Sequence, residues 1–177
     1  MRLTRRQLLF LSGFATVAFW VVLFAIDQQL TNTGGPSILG LEFAGSAGQV
    51  DQIASEWGSH GVNLARLSLW LDFGFMVSYG TFFALVGLAT RDLARSRELR
   101  LLSVAGLAVP YFAVGAAIFD ACENSIWLLA LGGRATGLAP IATGCAVAKF
   151  ALITVAEVYA VCGLVAWLRF LRPSESR

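Results

Sequence analysis

Charge is scarce in this sequence. Only 14% of the 177 residues are Asp, Glu, Lys or Arg, against about 25% in an ordinary soluble domain. With 57% hydrophobic residues and a mean hydropathy of +0.71, so short a chain cannot enclose its apolar surface in one water-facing core. Histidine is scarcer still. There is one, His60, and neither H-x-x-x-H nor E-x-x-H occurs, the helical spacings from which many metal sites are built. Asp72, Asp120 and Glu123 could offer oxygens to a hard cation, with His60 as a nitrogen donor, but the expectation is no metal and no cofactor. The three cysteines, Cys122, Cys145 and Cys162, form no C-x-x-C. They fall in apolar runs and are expected as small buried core residues. Walker, G-x-G-x-x-G and G-x-S-x-G motifs are missing. "GGRATG" lacks the Lys-Ser/Thr of a phosphate cradle and reads as a turn.

What the chain has is length in its apolar runs. Four are visible, at about 7–30, 62–90, 101–131 and 139–170. Each reaches the roughly 20 residues that cross a bilayer as a helix. They do not alternate as barrel strands would. The expected fold is therefore all-α, a single integral membrane domain over 1–177 built as a four-transmembrane-helix bundle. The opening "MRLTRRQLLF" has the basic start of an export signal, but the run that follows is long and ends at Asp27 without a small-x-small site. Retention as the first span is expected.

Basic residues suggest the orientation. Arg2, Arg5 and Arg6, then Arg91, Arg95, Arg97 and Arg100, then Arg169, Arg172 and Arg177 fall on one side of four crossings; the 31–61 loop holds Glu42, Asp51 and Glu56 and no Lys or Arg. By the positive-inside rule both termini are cytoplasmic and the protein is a multi-pass protein of the cell (inner) membrane. This use of the basic clusters, with a net charge of only +2, leaves no argument for a nucleic-acid partner. Inside the 31–61 loop, Ser46 and Gln49 form a capping pattern. Val50, Ile53, Ala54 and Trp57 then follow at i, i+3, i+4 and i+7, predicting a short amphipathic helix over about 47–57 that Gly58 ends. It reads as a plug or a lid over the bundle mouth.

The informative residues are the few polar ones at membrane depth. Asp120, Glu123, Asn124 and Trp127 lie at i, i+3, i+4 and i+7 in the third run, and so share one face. Asp72 with Met76 and Tyr79 occupies the second run, and Lys149 and Glu157 the fourth. Asp27 and Arg66 lie near the outer ends of the first and second. An unpaired ion at the centre of a bilayer costs roughly 2.5–3.5 kcal/mol or more, so these groups, the deeper Glu157 apart, are expected to turn inward and meet. Asp72, Tyr79, Asp120, Glu123, Asn124, Trp127 and Lys149 are the candidate ligand-binding residues, with Met76 as a further wall. Small pairs, Gly144 with Ala148 and Ala156 with Ala160, would allow close helix packing, and Pro110 would kink the third span.

"LEFAGS", "LDFGFMVSYG" and "FDACEN" resemble segments of small bacterial four-helix integral membrane proteins to which no activity is attached. The resemblance implies the four-span fold and nothing about chemistry. Sterol-isomerase and sigma-2-type proteins also keep carboxylates in a membrane pocket, an analogy at the level of fold alone. Three functions follow from the residues. The first is binding of a lipid or small amphiphile in an acidic pocket, with membrane lipids as partners. The second is an enzyme using Asp120 or Glu123 as general acid/base on a lipid-like substrate. The third is an accessory subunit whose polar core is only a lock. Ligand identity and oligomeric state are not encoded in any motif.

Overall fold

The computed structural model describes residues 3–171. Arg2, Arg172 and Arg177, three of the residues behind the orientation reading, lie outside them. The described chain is helical throughout, without strands. Its helices are α1 (Arg5–Thr31), α2 (Ile38–Glu42), α3 (Ala47–Ser96), α4 (Arg100–Ala105), α5 (Val109–Ala130) and α6 (Ala139–Leu171), with a 3-10 turn at Thr136–Leu138. Four helical segments are long and apolar enough to cross a membrane: Arg5–Thr31, Ala47–Ser96, Arg100–Ala130 and Thr136–Arg169.

α1 starts on a reciprocal cap. Thr4 Oγ1 accepts from the Gln7 amide, and Gln7 Oε1 accepts from the Thr4 amide at 2.9 Å, so two of the four open N–H groups at the helix start are satisfied. At the head of α3, Ser46 accepts from the Gln49 amide at 3.3 Å. The first turns of α3 are the amphipathic helix expected over 47–57. Val50 and Trp57 are buried, Ile53 and Ala54 half-buried, and Asp51, Gln52, Ser55 and Glu56 exposed. Gly58 breaks the helix with φ +61°, a backbone state that favours glycine. The second span begins directly beyond it, earlier than position 62, and runs past 90 to Ser96. Trp57 Nε1 donates to the Pro36 carbonyl at 2.8 Å, which ties the amphipathic helix to the turn before α2.

The third crossing is not one helix over 101–131. α4 stops at Ala105, residues 106–108 turn, and Pro110 sits in the first turn of α5. There its missing N–H leaves no intrahelical bond unmade. Pro110 thus opens a new helix instead of kinking an old one. Tyr159 of α6 donates to the Leu102 carbonyl at 2.8 Å and holds α4 in line.

α3 is the hub of the bundle. It packs along α1, α5 and α6, and α5 and α6 pack along each other, whereas α1 leans chiefly on α3. α1 accordingly buries little: Ser12, Ile26 and Leu30, while Phe10 and Phe14 are each 76% exposed. Small residues set the inner contacts, among them Ala113 and Ala116 on α5 and Ala139, Ala142, Ala146 and Ala156 on α6, all buried. At Gly87 of α3 a Cβ would lie 2.7 Å from Val109 Cγ1 and 3.0 Å from Val109 Cβ, so only glycine admits α5 this closely.

Two expectations about inward faces are corrected. Gly144 is exposed, and the stripe that packs is Ala142 and Ala146, continuing to Lys149. Cys122 and Cys162 are exposed and Cys145 half-buried, so the cysteines are not core residues. In a helix surrounded by lipid, an apolar side chain gains as little by turning inward as by turning outward.

Candidate functional site

The polar face of α5 is buried as its spacing predicts. Asp120, Glu123, Asn124 and Trp127 are 2%, 0%, 1% and 0% exposed. α6 carries the facing cation. Lys149 is the chain's sole lysine, and its Nζ lies 2.8 Å from Glu123 Oε2, 3.1 Å from Asp120 Oδ1 and 3.3 Å from Glu42 Oε2. The second oxygens of the two α5 carboxylates are also engaged. Tyr79 of α3 donates to Asp120 Oδ2 at 2.9 Å, and Trp127 Nε1 donates to Glu123 Oε1 at 3.3 Å. Met76 packs beside Tyr79 against Ala116.

Glu42 is the member that sequence reasoning missed. The sequence places it in the outer 31–61 loop; instead α2 folds back and buries it on Lys149. Phe43, the next residue, stacks on Phe150 of α6 with ring centroids 6.0 Å apart. Asp27 of α1 accepts from the Ile38 amide at 2.7 Å and caps the start of α2. A signal did exist in "SILGLEFA": a lone carboxylate between Ile38, Leu39, Leu41 and Phe43 has no wet face to occupy. Burial pushes the Glu42 carboxyl above the ordinary carboxylate range, against the pull of Lys149.

Three carboxylates around one ammonium leave two negative charges in excess if all are ionised. The point where they converge, where a metal ion would sit, is taken by Lys149 Nζ itself. Among the described residues no group of three or more His, Cys, Asp and Glu side chains is placed to hold a metal ion. His60 is exposed, as are Arg66 and Glu157. Arg66 is expected among the inward-turned charges and is not one of them. It lies near the start of the span, within reach of the interface for so long a side chain.

Asp72 belongs to a different environment. Asn124 Nδ2 donates to Asp72 Oδ2 at 2.6 Å, which leaves Asn124 Oδ1 buried without a hydrogen-bond partner. Both residues line a cavity of about 230 Å³ between α1, α2 and α3. Its walls are apolar, from Trp20, Leu23, Phe24 and Phe75 among others, and Asp27 and Glu42 also face it. Asp120, Glu123, Lys149, Tyr79, Met76 and Trp127 are not among its lining. The seven candidate residues therefore do converge, but as two units. One is a closed cluster around Lys149. The other is an open cavity with Asp72 and Asn124 in its lining. Glu42 takes part in both.

Fold and polar core together define the class: an α-helical protein with four spans able to cross a membrane and a buried ionic cluster between them. Comparison with known protein families, with curated proteins and with solved structures finds no match.

Proposed function

We propose that this is a multi-pass membrane protein that binds a lipid or small amphiphile in the cavity between α1, α2 and α3. The reading is carried by the cavity's composition. Apolar walls ending at a few polar groups match an amphiphile with its chain along α1 and its head at Asp72 and Asn124. α1 leans chiefly on α3, so the gap beside it faces the surrounding tails and a lipid-dissolved ligand could enter sideways. With the termini cytoplasmic, as the arginines suggest, the cavity lies in the outer leaflet.

The lock reading has its own support, restricted to the Lys149 cluster. There every carboxylate has a partner on a different helix, which suits a device that fixes helix register. The two roles are compatible, because the cluster would hold α2, α5 and α6 in place while the cavity works beside it. General acid/base chemistry by Asp120 or Glu123 fits less well, since each would first have to leave Lys149.

The test fills the cavity. Leu23→Trp places an indole in the space between α1 and α3. In lipid nanodiscs, a photoactivatable fatty-chain probe is expected to mark the cavity-facing residues of α1 and α3 in the native protein and to lose that labelling in the variant. Equal labelling of both proteins would rule the cavity out as a binding site.

A further inference from the structure

One carboxylate sits deep in a span and faces outward. Glu157 of α6 is exposed, and among the described residues its side chain has no hydrogen bond or ion pair. Arg169, at the basic end of α6, is twelve positions further on, about 18 Å at a rise of about 1.5 Å per residue. The apolar core of a bilayer is about 30 Å thick, so Glu157 lies near its midplane. An ionisable group there is costly, and such groups nearly always meet another protein group or water. Its surroundings form a seam. Phe150, Thr154, Glu157, Val161, Leu164 and Leu168 follow in alternating steps of four and three, and all are exposed. That is the heptad period with which one helix packs along another, and a single polar residue in such a seam fixes register and partner. The opposite face of α6, with Ala142, Ala146, Lys149 and Ala156, is the one buried in the bundle. Thr154 Oγ1, one turn from Glu157, also makes no hydrogen bond among the described residues. The exposed hydroxyls of Thr81 and Ser125, by contrast, each donate to a carbonyl of their own helix at 2.7 Å.

We infer that this face of α6 docks a transmembrane helix of a different protein, which presents a lysine or arginine to Glu157 at mid-span. The inference rests on the membrane-spanning reading and is independent of the cavity. Charge complementarity selects the occupant. A lipid tail offers no donor at that depth. A second copy of the chain, set alongside in the same orientation, brings Glu157 against Glu157. Nor does the chain hold a cation to spare at this level. Its one lysine is committed to Glu42, Asp120 and Glu123, and its described arginines lie toward the ends of the spans. A basic side chain from another helix makes a charge-assisted bond to the carboxylate, and it has further N–H donors for Thr154 Oγ1. The apolar members of the seam take the rest of the partner helix.

The experiment places photoactivatable benzoylphenylalanine at position 161, in the seam, in the full chain made in its native host. Cells are irradiated, and the segments joined to this position are sequenced by mass spectrometry. The expected adduct is an apolar segment of another protein with Lys or Arg near its middle. Glu157→Gln keeps the size of the side chain and removes its charge, and is expected to lower the yield of that adduct about tenfold. The same probe at position 77, where Val77 of α3 is 68% exposed, is expected to give no such adduct. Adducts with lipid alone, with a second copy of the chain, or with a segment lacking a mid-span cation overturn the inference. So does a yield unchanged by Glu157→Gln. Glu157 is bonded to no described side chain, so the variant is expected to fold; if it does not, the sequence of the segment captured by the Glu157 protein decides alone. Alkaline carbonate extraction of the same membranes separates the two failures. Release of the chain refutes the membrane-spanning reading itself, and retention confines the failure to this face of α6.

Discussion

Replacing Lys149 by methionine is the sharpest perturbation of this molecule. Methionine is an unbranched apolar chain close to the stem of lysine in length, and it removes the ammonium. Three carboxylates at 2.8–3.3 Å then lose their common counterion, in surroundings where Glu123 and Asp120 are 0% and 2% exposed. At an effective dielectric of about 20, one such contact at 3 Å corresponds to about 5 kcal/mol of attraction. Desolvation of both ions and repulsion among the carboxylates offset much of the sum. Measured losses on breaking a buried pair run at about 3–5 kcal/mol, and with three partners stranded the upper part of that range, about 4–5 kcal/mol, is the expectation. The assay is equilibrium unfolding in mixed micelles, following helix content against the mole fraction of denaturing detergent. Adding Glu123→Gln should restore about 1–2 kcal/mol, because the closest stranded charge is removed with the cation; the two changes together then cost less than their sum. A Lys149→Met protein within about 0.5 kcal/mol of the native one would refute the ionic cluster as a structural element. Strict additivity with Glu123→Gln would refute the coupling between the two side chains.

Two further outcomes follow from the backbone. Gly87→Ala should push Val109 from its place, since the β-branched side chain is stiff about χ1; overpacking of this kind costs about 1–3 kcal/mol, read in the same unfolding assay as a loss of stability. Gly58→Ala forces a Cβ into the left-handed region at φ +61° and should cost about 1–2 kcal/mol. Its effect should appear as faster amide exchange over 47–57, with the spans themselves unchanged.

The sequence carried the four spans, the amphipathic helix at 47–57 and the buried face of α5. Each is written in a period. Asp120, Glu123, Asn124 and Trp127 repeat at helical spacing in an otherwise apolar run, and a polar residue in such a run has only one tolerable direction. Lys149 was legible for the same reason. Glu42 was legible only in part: "SILGLEFA" gives its carboxylate no wet neighbours, but its burial comes from a chain reversal over Gly34, Gly35 and Pro36 ahead of α2, where no periodicity exists. The faces of Cys122, Cys162 and Gly144 were illegible for a different reason. Hydropathy distinguishes oil from water, but both the interior of this bundle and the surrounding tails are oil. The division of the polar residues into a closed cluster and a cavity also lay beyond spacing, since it depends on α1 standing chiefly against α3.

That the chain has one lysine, placed at 6% exposure, gives the protein a built-in chemical clock. A water-borne acylating reagent meets a single side-chain amine in the whole molecule, and it can react only when α2, α5 and α6 part. The acylation rate at this one position would therefore time the breathing of the interior directly, with no label introduced.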